Sequence, residues 1–507
     1  MSKAIALLGI DIGSTNLKAV AFDDSGTILA KATAPTPTTH PQPGWAEHDP
    51  EAIWKGVAGL IREVVERLDG KYDIAAVAAA SVGEAGVLLD EHGDALHPSI
   101  AWYDNRTQAQ EHYWRELHGD DALFETTGLP LHLIFGVNKL MWLAEHAPQA
   151  MARARCWLNM ADHIAYKLSG AQFTDYSLAS RMMLLNLKQR VWSQDLVQAA
   201  GINKDILPPL IDSGQIIGRI TPDAARLTGL KQGMLVISGG HDHICGALSV
   251  DVARNGDVLD SIGTSEGLVV AVDQPILTPA QGRAGYTQGA HVIPGQYYMM
   301  GGLYTGGTCV DWAMSMIMPN QTSDYAAFTQ LAEQAQPGCG GVYFMPHLRL
   351  ASSPNYDPNG RGVFIGLSTD TTRADMARAT IEGLVYELHL SLTALLETTG
   401  LHVQRHVMIG GATRNALWMA IKAAVENRPL YIVEREESTA HGTALLAGLG
   451  AGVYRDLADL RSRVQKRERV VQPDEGLSAF YGLRFERVYR QIYAAARGLH
   501  MAEKALQ

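Results

Sequence analysis

Apolar residues near the N-terminus fall in short blocks separated by turn residues. Ile5 to Ile12 and Leu17 to Asp23 read as two strands joined by Gly13-Ser14-Thr15-Asn16, and Asp24-Ser25-Gly26 turns the chain into a third strand, Thr27 to Lys31. A Pro-rich loop, Pro35 to Pro43, ends in Gly44-Trp45-Ala46-Glu47. The period then becomes helical. Asp49-Pro50 supplies an N-cap and a first helical residue, Ile53, Trp54, Val57, Leu60, Ile61, Val64, Val65 and Leu68 form one apolar stripe, and Gly70 ends it. Ile74 to Ser81 is a continuous apolar run, the mark of a buried strand, closing in Val82-Gly83-Glu84-Ala85-Gly86. The order β-β-β-α-β departs from the alternation of a dinucleotide-binding unit.

Gly128 to Leu207 reads as mostly helical. Leu235 to Ser238 is a strand that runs through Gly239-Gly240-His241-Asp242 into a helix expected from His243. Asp251 to Gly256 reads as a linker, which divides the chain into domains 1–250 and 251–507. The second half restarts with a hairpin from Val258, and the strands His406 to Ile409 and Leu430 to Val433 each lead into a helix.

The second hairpin repeats the first. Leu8-Gly9-Ile10-Asp11-Ile12-Gly13-Ser14-Thr15-Asn16 finds an altered copy in Leu259-Asp260-Ser261-Ile262-Gly263-Thr264-Ser265-Glu266-Gly267. Each is a strand, a turn of glycine and hydroxyl residues, and a second strand. Such a turn aims backbone N–H groups and hydroxyls at one point, which suits a phosphate. Two copies suggest two domains gripping one polyphosphate. Asp11, inside an apolar strand, is costly unless it has a job or a partner, which favours a carboxylate linked to Mg²⁺ and water over a polar hairpin that satisfies only its own turn.

Other candidates are weighed against plainer roles. Asp242 ends a buried strand, placed to take a proton from a bound hydroxyl, or else to cap the following helix. Gly239 and Gly240 would let a substrate approach the backbone. Gly263-Thr264-Ser265-Glu266-Gly267 matches a hydrolase nucleophile elbow with Ser265 as nucleophile, but an elbow leads into a helix, and Leu268 to Val272 is strand-like. Gly410-Gly411-Ala412 with Asn415 admits an adenine ring or forms a tight turn. Glu84, Trp102 and Asp104 are candidates for a polyol, by hydrogen bonding and stacking.

The 507 residues carry a formal net charge of -11, which argues against a general nucleic-acid binder. The basic run Arg461 to Arg469 is expected to be a solvated face or linker. The four cysteines are widely spaced, as in a reducing compartment, and no apolar run is long enough for a bilayer, so the expectation is a cytoplasmic protein with no membrane partner.

In this order and spacing the motifs resemble the FGGY family of carbohydrate kinases over nearly the whole chain. Asp357-Pro358-Asn359-Gly360-Arg361-Gly362 and Ala379-Thr380-Ile381-Glu382-Gly383 add to the likeness. The resemblance implies an α/β fold of two ribonuclease-H-like domains, as in the actin-like ATPase superfamily, around a central cleft. It implies ATP and Mg²⁺ as cofactors, a small sugar or polyol (ketose or alditol favoured) as partner, and a possible homodimer. Asp242 would be the general base and also touch the substrate, with Glu84, Trp102 and Asp104. Asp11 would hold Mg²⁺ through water. Gly13, Ser14, Thr15 and Asn16 would meet the γ-phosphate, Gly263 and Thr264 the β-phosphate, and Gly410, Gly411, Ala412 and Asn415 the adenosine. The main rival is a non-catalytic nucleotide-binding module. Two departures stand out. The first turn is Gly-Ser-Thr-Asn where many members have Gly-Thr-Thr, and Val82 to Gly86 replaces a Gln-x-His-Gly segment of many pentulose kinases.

Overall fold

The computed structural model describes residues 3–320 and 324–506. Two mixed sheets organise it. The first has six strands in the spatial order Ile216–Arg219, Leu235–His241, Tyr72–Ser81, Ala4–Ile12, Asn16–Phe22, Ile28–Pro35. The three N-terminal strands are antiparallel neighbours, and Tyr72–Ser81 and Leu235–His241 then add parallel to the first of them. The second sheet repeats this core with Tyr297–Leu303, Glu266–Val272, Asp257–Ile262, Arg405–Ile409 and Leu430–Val433. Parallel additions need crossover helices, and the stripe read from the sequence supplies the first, Pro50–Arg67, with Asp49 as its N-cap.

Some expectations shift. The third strand is longer than Thr27 to Lys31 and takes in the start of the Pro-rich loop, because its backbone pairs with Asn16–Phe22 through Asn16↔Pro35. The stretch 128–207 includes short strands at Cys156–Asn159, Thr174–Asp175, Leu185–Asn186 and Val191–Trp192 between its helices.

The halves meet over small residues. Helix Ser438–Gly450, from the second half, lies on the first sheet and on helix Asp242–Ser249. A Cβ on Gly442 would stand 1.8 Å from the Cys245 carbonyl oxygen, and one on Gly9 would stand 1.9 Å from that of Ala440. A single apolar core here takes Leu7, Val20, Ile244 and Leu248 from one half and Leu259, Val407, Ala440 and Ala444 from the other. The basic run at 461–469 is mostly exposed, as a solvated face would be, but two of its cations are engaged. Arg461 Nε and Lys466 Nζ each lie 2.6 Å from Asp251, the residue that turns between the halves at φ 62°.

Behind the second hairpin the sheet buries a charged cluster. Lys422 contacts the carboxylates of Asp260 and Glu266, and His406 Nδ1 lies 2.7 Å from Glu426. Burial pushes Asp260 well above the usual carboxylate range, whereas for Glu426 burial is outweighed by His406, which holds it at about 2. Removing one partner of such a cluster strands a buried charge. Lys422→Met is therefore expected to cost about 3–5 kcal/mol in urea unfolding. A loss below about 1 kcal/mol would mean that the acids are satisfied without it.

Candidate active site

The first turn is built by the hairpin that closes at Ile12↔Leu17. The Gly13 N–H bonds the Asn16 carbonyl at 3.1 Å, so Gly13 and Asn16 close the turn on themselves. Thr36 holds its far side, donating its hydroxyl to the Gly13 carbonyl at 2.6 Å and its N–H to the Thr15 carbonyl at 2.9 Å. Ser14 is left half-buried and Thr15 exposed. Trp102 Nε1 donates to Ser14 Oγ at 2.8 Å, which ties the indole to the turn.

Asp11 lies one strand residue before the turn, opposite Lys18 in the hairpin register. Its nearest cation is Lys18 Nζ at 3.7 Å, beyond hydrogen-bond length, and that amine is drawn to Glu437 at 2.8 Å. Burial first, and the Asp242 charge second, push Asp11 up to about 7. A buried carboxylate so poorly compensated fits a hard divalent cation that keeps part of its water shell.

Asp242 opens the helix Asp242–Ser249 directly after strand Leu235–His241, one residue earlier than expected. The N-cap position belongs to His241. Among the described residues the Asp242 carboxylate accepts only the adjacent His243 N–H, at 2.6 Å, so capping does not explain it. Its side chain is 17% exposed. Burial raises it above the usual carboxylate range, and Glu84 adds to this while His243 and Arg181 oppose it. The strand end is pinned from behind. Asp175 Oδ1 accepts the Ser177 N–H at 2.8 Å and the Ser177 and Ser213 hydroxyls, and Ser177 Oγ accepts the His241 N–H at 2.8 Å.

Two sequence readings change here, and a third gains a partner. Gly239 and Gly240 do not open the backbone to a substrate. Their missing side chains make room for protein, with a Cβ on Gly239 1.8 Å from the Ala79 carbonyl oxygen and one on Gly240 2.6 Å from Val292. Asp104 is 1% exposed and its acceptor positions are full. Oδ1 accepts from Arg106 N and Nε, both at 2.9 Å, and Oδ2 from Ala46 N at 2.6 Å and Arg106 Nη2 at 2.8 Å. With about four acceptor sites per carboxylate, Asp104 holds the loop before the first helix instead of facing a polyol. Its partner Arg106 also reaches Glu47 at 2.8 Å and lies over Trp45. Glu84 is buried against Arg181, whose Nε and Nη2 stand 2.7 and 2.6 Å from Oε1.

The second turn is more open than the first. Gly263, Thr264 and Ser265 are exposed between buried strands. Strand Glu266–Val272 follows directly, so the nucleophile-elbow reading of Ser265 fails for want of a helix. The turn meets the start of helix Gly307–Ile317, where the N–H groups of Gly306 and Gly307 bond the carbonyls of Thr264 and Gly263 at 3.0 and 2.9 Å.

Beside it opens a pocket of about 470 Å³ that brings Gly263, Thr264, Gly411, Ala412 and Asn415 together, with Phe328, Ile381 and Trp418 as apolar walls. Gly410 is absent from that lining. Its φ of 100° and a Cβ position 2.3 Å from the Ile262 carbonyl oxygen make it the tight-turn glycine. A Cβ on Gly411 would meet only Arg414 Nη2, at 3.8 Å, an ordinary contact with a flexible side chain. Asn415 is the N-cap of helix Ala416–Glu426, accepting the Trp418 N–H at 3.0 Å and donating to Thr329 at 2.9 Å.

Sequence reasoning missed Arg181, Lys139 and Tyr304. Lys139 is fully buried and donates to the carbonyls of Glu84 and Ile134 at 2.6 and 2.8 Å, and burial brings it down to about 7. Tyr304 directly follows strand Tyr297–Leu303 of the second sheet and is 46% exposed. No local pattern marks these three. Among the described residues no helix is long and apolar enough to cross a membrane.

Two models of the FGGY family of carbohydrate kinases match this chain, the N-terminal domain over residues 6–249 and the C-terminal domain over residues 259–451. The chain is 28% identical over 503 residues to the xylulose kinase of Bacillus subtilis, covering 99% of each. It is 27% identical over 455 residues to the gluconokinase of the same organism, covering 88% of each. Among solved structures, the xylulose kinase from Rhodospirillum rubrum matches with a TM-score of 0.90 at 27% identity, over 98% of this chain and 100% of that one.

Proposed function

The chain belongs to the FGGY family of carbohydrate kinases, and from that premise we propose that it transfers the γ-phosphoryl group of ATP to a hydroxyl of a small sugar or polyol with Asp242 as general base. The observation that carries this is the Asp242 carboxylate itself. It is largely buried, free of a capping role, raised above the usual range, and within the field of Asp11.

In this reading Asp242 accepts the proton of the acceptor hydroxyl, and the hydroxyl oxygen bonds to the γ-phosphorus as the bond to ADP breaks. Ser14 and Thr15 with the first turn, and Gly263 and Thr264 with the second, hold the phosphates. Gly411, Ala412 and Asn415 line the adenosine pocket, with Gly410 shaping its turn. Asp11 is the residue for Mg²⁺, which when bound would neutralise phosphate charge. The protein's own work is positioning and exclusion of water. A domain boundary near residue 250, with Asp251 clamped by Arg461 and Lys466, suits closure of one half on the other.

The test is ADP release from ATP and Mg²⁺ with ketoses, aldoses and alditols, run beside Asp242→Asn. Release that one compound raises and the variant abolishes supports the proposal. A chain that binds ATP but responds to no acceptor would favour the non-catalytic rival.

The adenosine assignment has its own check. Gly411→Val fills open pocket space without backbone conflict. It is expected to raise KM for ATP about tenfold or more, as an overfilled site loses 1–3 kcal/mol. The sugar KM should stay within about twofold. An unchanged KM for ATP would remove Gly411 from the nucleotide site.

A further inference from the structure

Resting on the kinase reading, we infer that the acceptor is a neutral polyhydroxy compound and not a sugar acid, and that the Arg181–Glu84 pair sets this choice. The two residues come from segments 97 positions apart, and their side chains are 4% and 8% exposed. The arginine reaches Glu84 because residue 83 is glycine. A Cβ there would lie 2.3 Å from Arg181 Cγ and 2.8 Å from its Cβ, so the arginine stem occupies the space of the missing side chain.

The pair stands beside the base, since the Cβ position of Gly83 that Arg181 covers also lies 2.6 Å from Cδ2 of His241, the residue before Asp242. That placement decides the charge of what fits. A carboxylate on the substrate would need an uncommitted cation. Arg181 Nε and Nη2 both meet Glu84 Oε1, which neutralises the guanidinium, so its buried Nη1, without a hydrogen-bond partner among the described residues, offers an N–H to an acceptor oxygen but no uncompensated charge. The Tyr298 hydroxyl lies beside the same guanidinium without a well-aligned hydrogen bond. Lys139 is turned away onto two carbonyls, and Lys18 is shared between Glu437 and Asp11. An incoming carboxylate would therefore meet Asp242 and Glu84 as like charges, which is how a site rejects a partner.

A neutral polyol meets no such obstacle. A hydroxyl both donates and accepts. All hydrogen bonds found to the Glu84 carboxylate end on Oε1, so Oε2 is left for a substrate hydroxyl.

The experiment measures kcat/KM of the full-length chain at pH 8 with matched ketose, alditol and aldonate of four, five and six carbons, for example xylulose, xylitol and xylonate. ATP binding serves as the folding control. The best neutral acceptor is expected to exceed its aldonate by about 100-fold or more. Glu84→Gln releases the guanidinium, and the neutral-to-aldonate ratio should fall at least about tenfold. Gly83→Ala displaces Arg181 without changing charge, and should raise KM for the neutral acceptor while KM for ATP stays constant. A wild-type enzyme that uses the aldonate as well as the neutral compound overturns the inference, as does a Glu84→Gln variant with an unchanged ratio. Failure of every acceptor with ATP still bound refutes the kinase reading beneath it, a different result from an aldonate preference.

Discussion

Asp242→Asn is expected to lower kcat by about 10²–10⁴-fold and leave ATP affinity within about twofold. The change keeps the size of the side chain and its contact with the His243 N–H, so the helix start should survive. Only the ability to take a proton is lost. The wild-type pH profile carries the same argument. Asp242 must be ionised to act, and burial raises its pKa above that of an ordinary aspartate. The acid limb of kcat/KM should therefore lie above the ordinary aspartate range near 4, and activity should fall as pH drops through it. Wild-type turnover in the variant, or an acid limb below about pH 4, would remove Asp242 from the base position.

Asp11→Asn is expected to inactivate the enzyme and yet stabilise the ligand-free protein at pH 8. Burial and the Asp242 charge raise Asp11 from 3.8 to about 7. The folded state then binds this proton more tightly than the unfolded chain, so stability from this group is present at low pH, is lost as pH rises from 3.8 to about 7, and falls no further above that. At about 1.4 kcal/mol per pH unit the ionised carboxylate costs up to ~4 kcal/mol at pH 8, less what cleft water screens. Asparagine has no such charge. Its melting temperature should exceed that of the wild type at pH 8 and approach it at pH 5. Turnover should fall by about 10²-fold or more, with weaker dependence on Mg²⁺ concentration. A variant less stable than the wild type at both pH values would show that Asp11 is a structural carboxylate.

The sequence carried the strands, the first helix and both turns because these are local. Alternation, a proline at the first helical position, and glycine and hydroxyl residues between apolar runs act over a few residues, and the structure keeps them at Ala4–Ile12, Asn16–Phe22, Pro50–Arg67 and the paired hairpins. The identity of Ser265 as a turn residue was legible for the same reason, since β-branched residues follow it. What the fold alone decided concerns residues far apart in the chain. Asp104 looked free until Ala46 and Arg106 filled its oxygens, and Gly239 looked like a substrate glycine until Ala79 occupied its side-chain space. Arg181 meets Glu84 because packing brings it over Gly83, 97 positions away from its partner. Local backbone preference is written in neighbouring residues, but the charge state and solvent access of a site depend on which distant groups burial forces together.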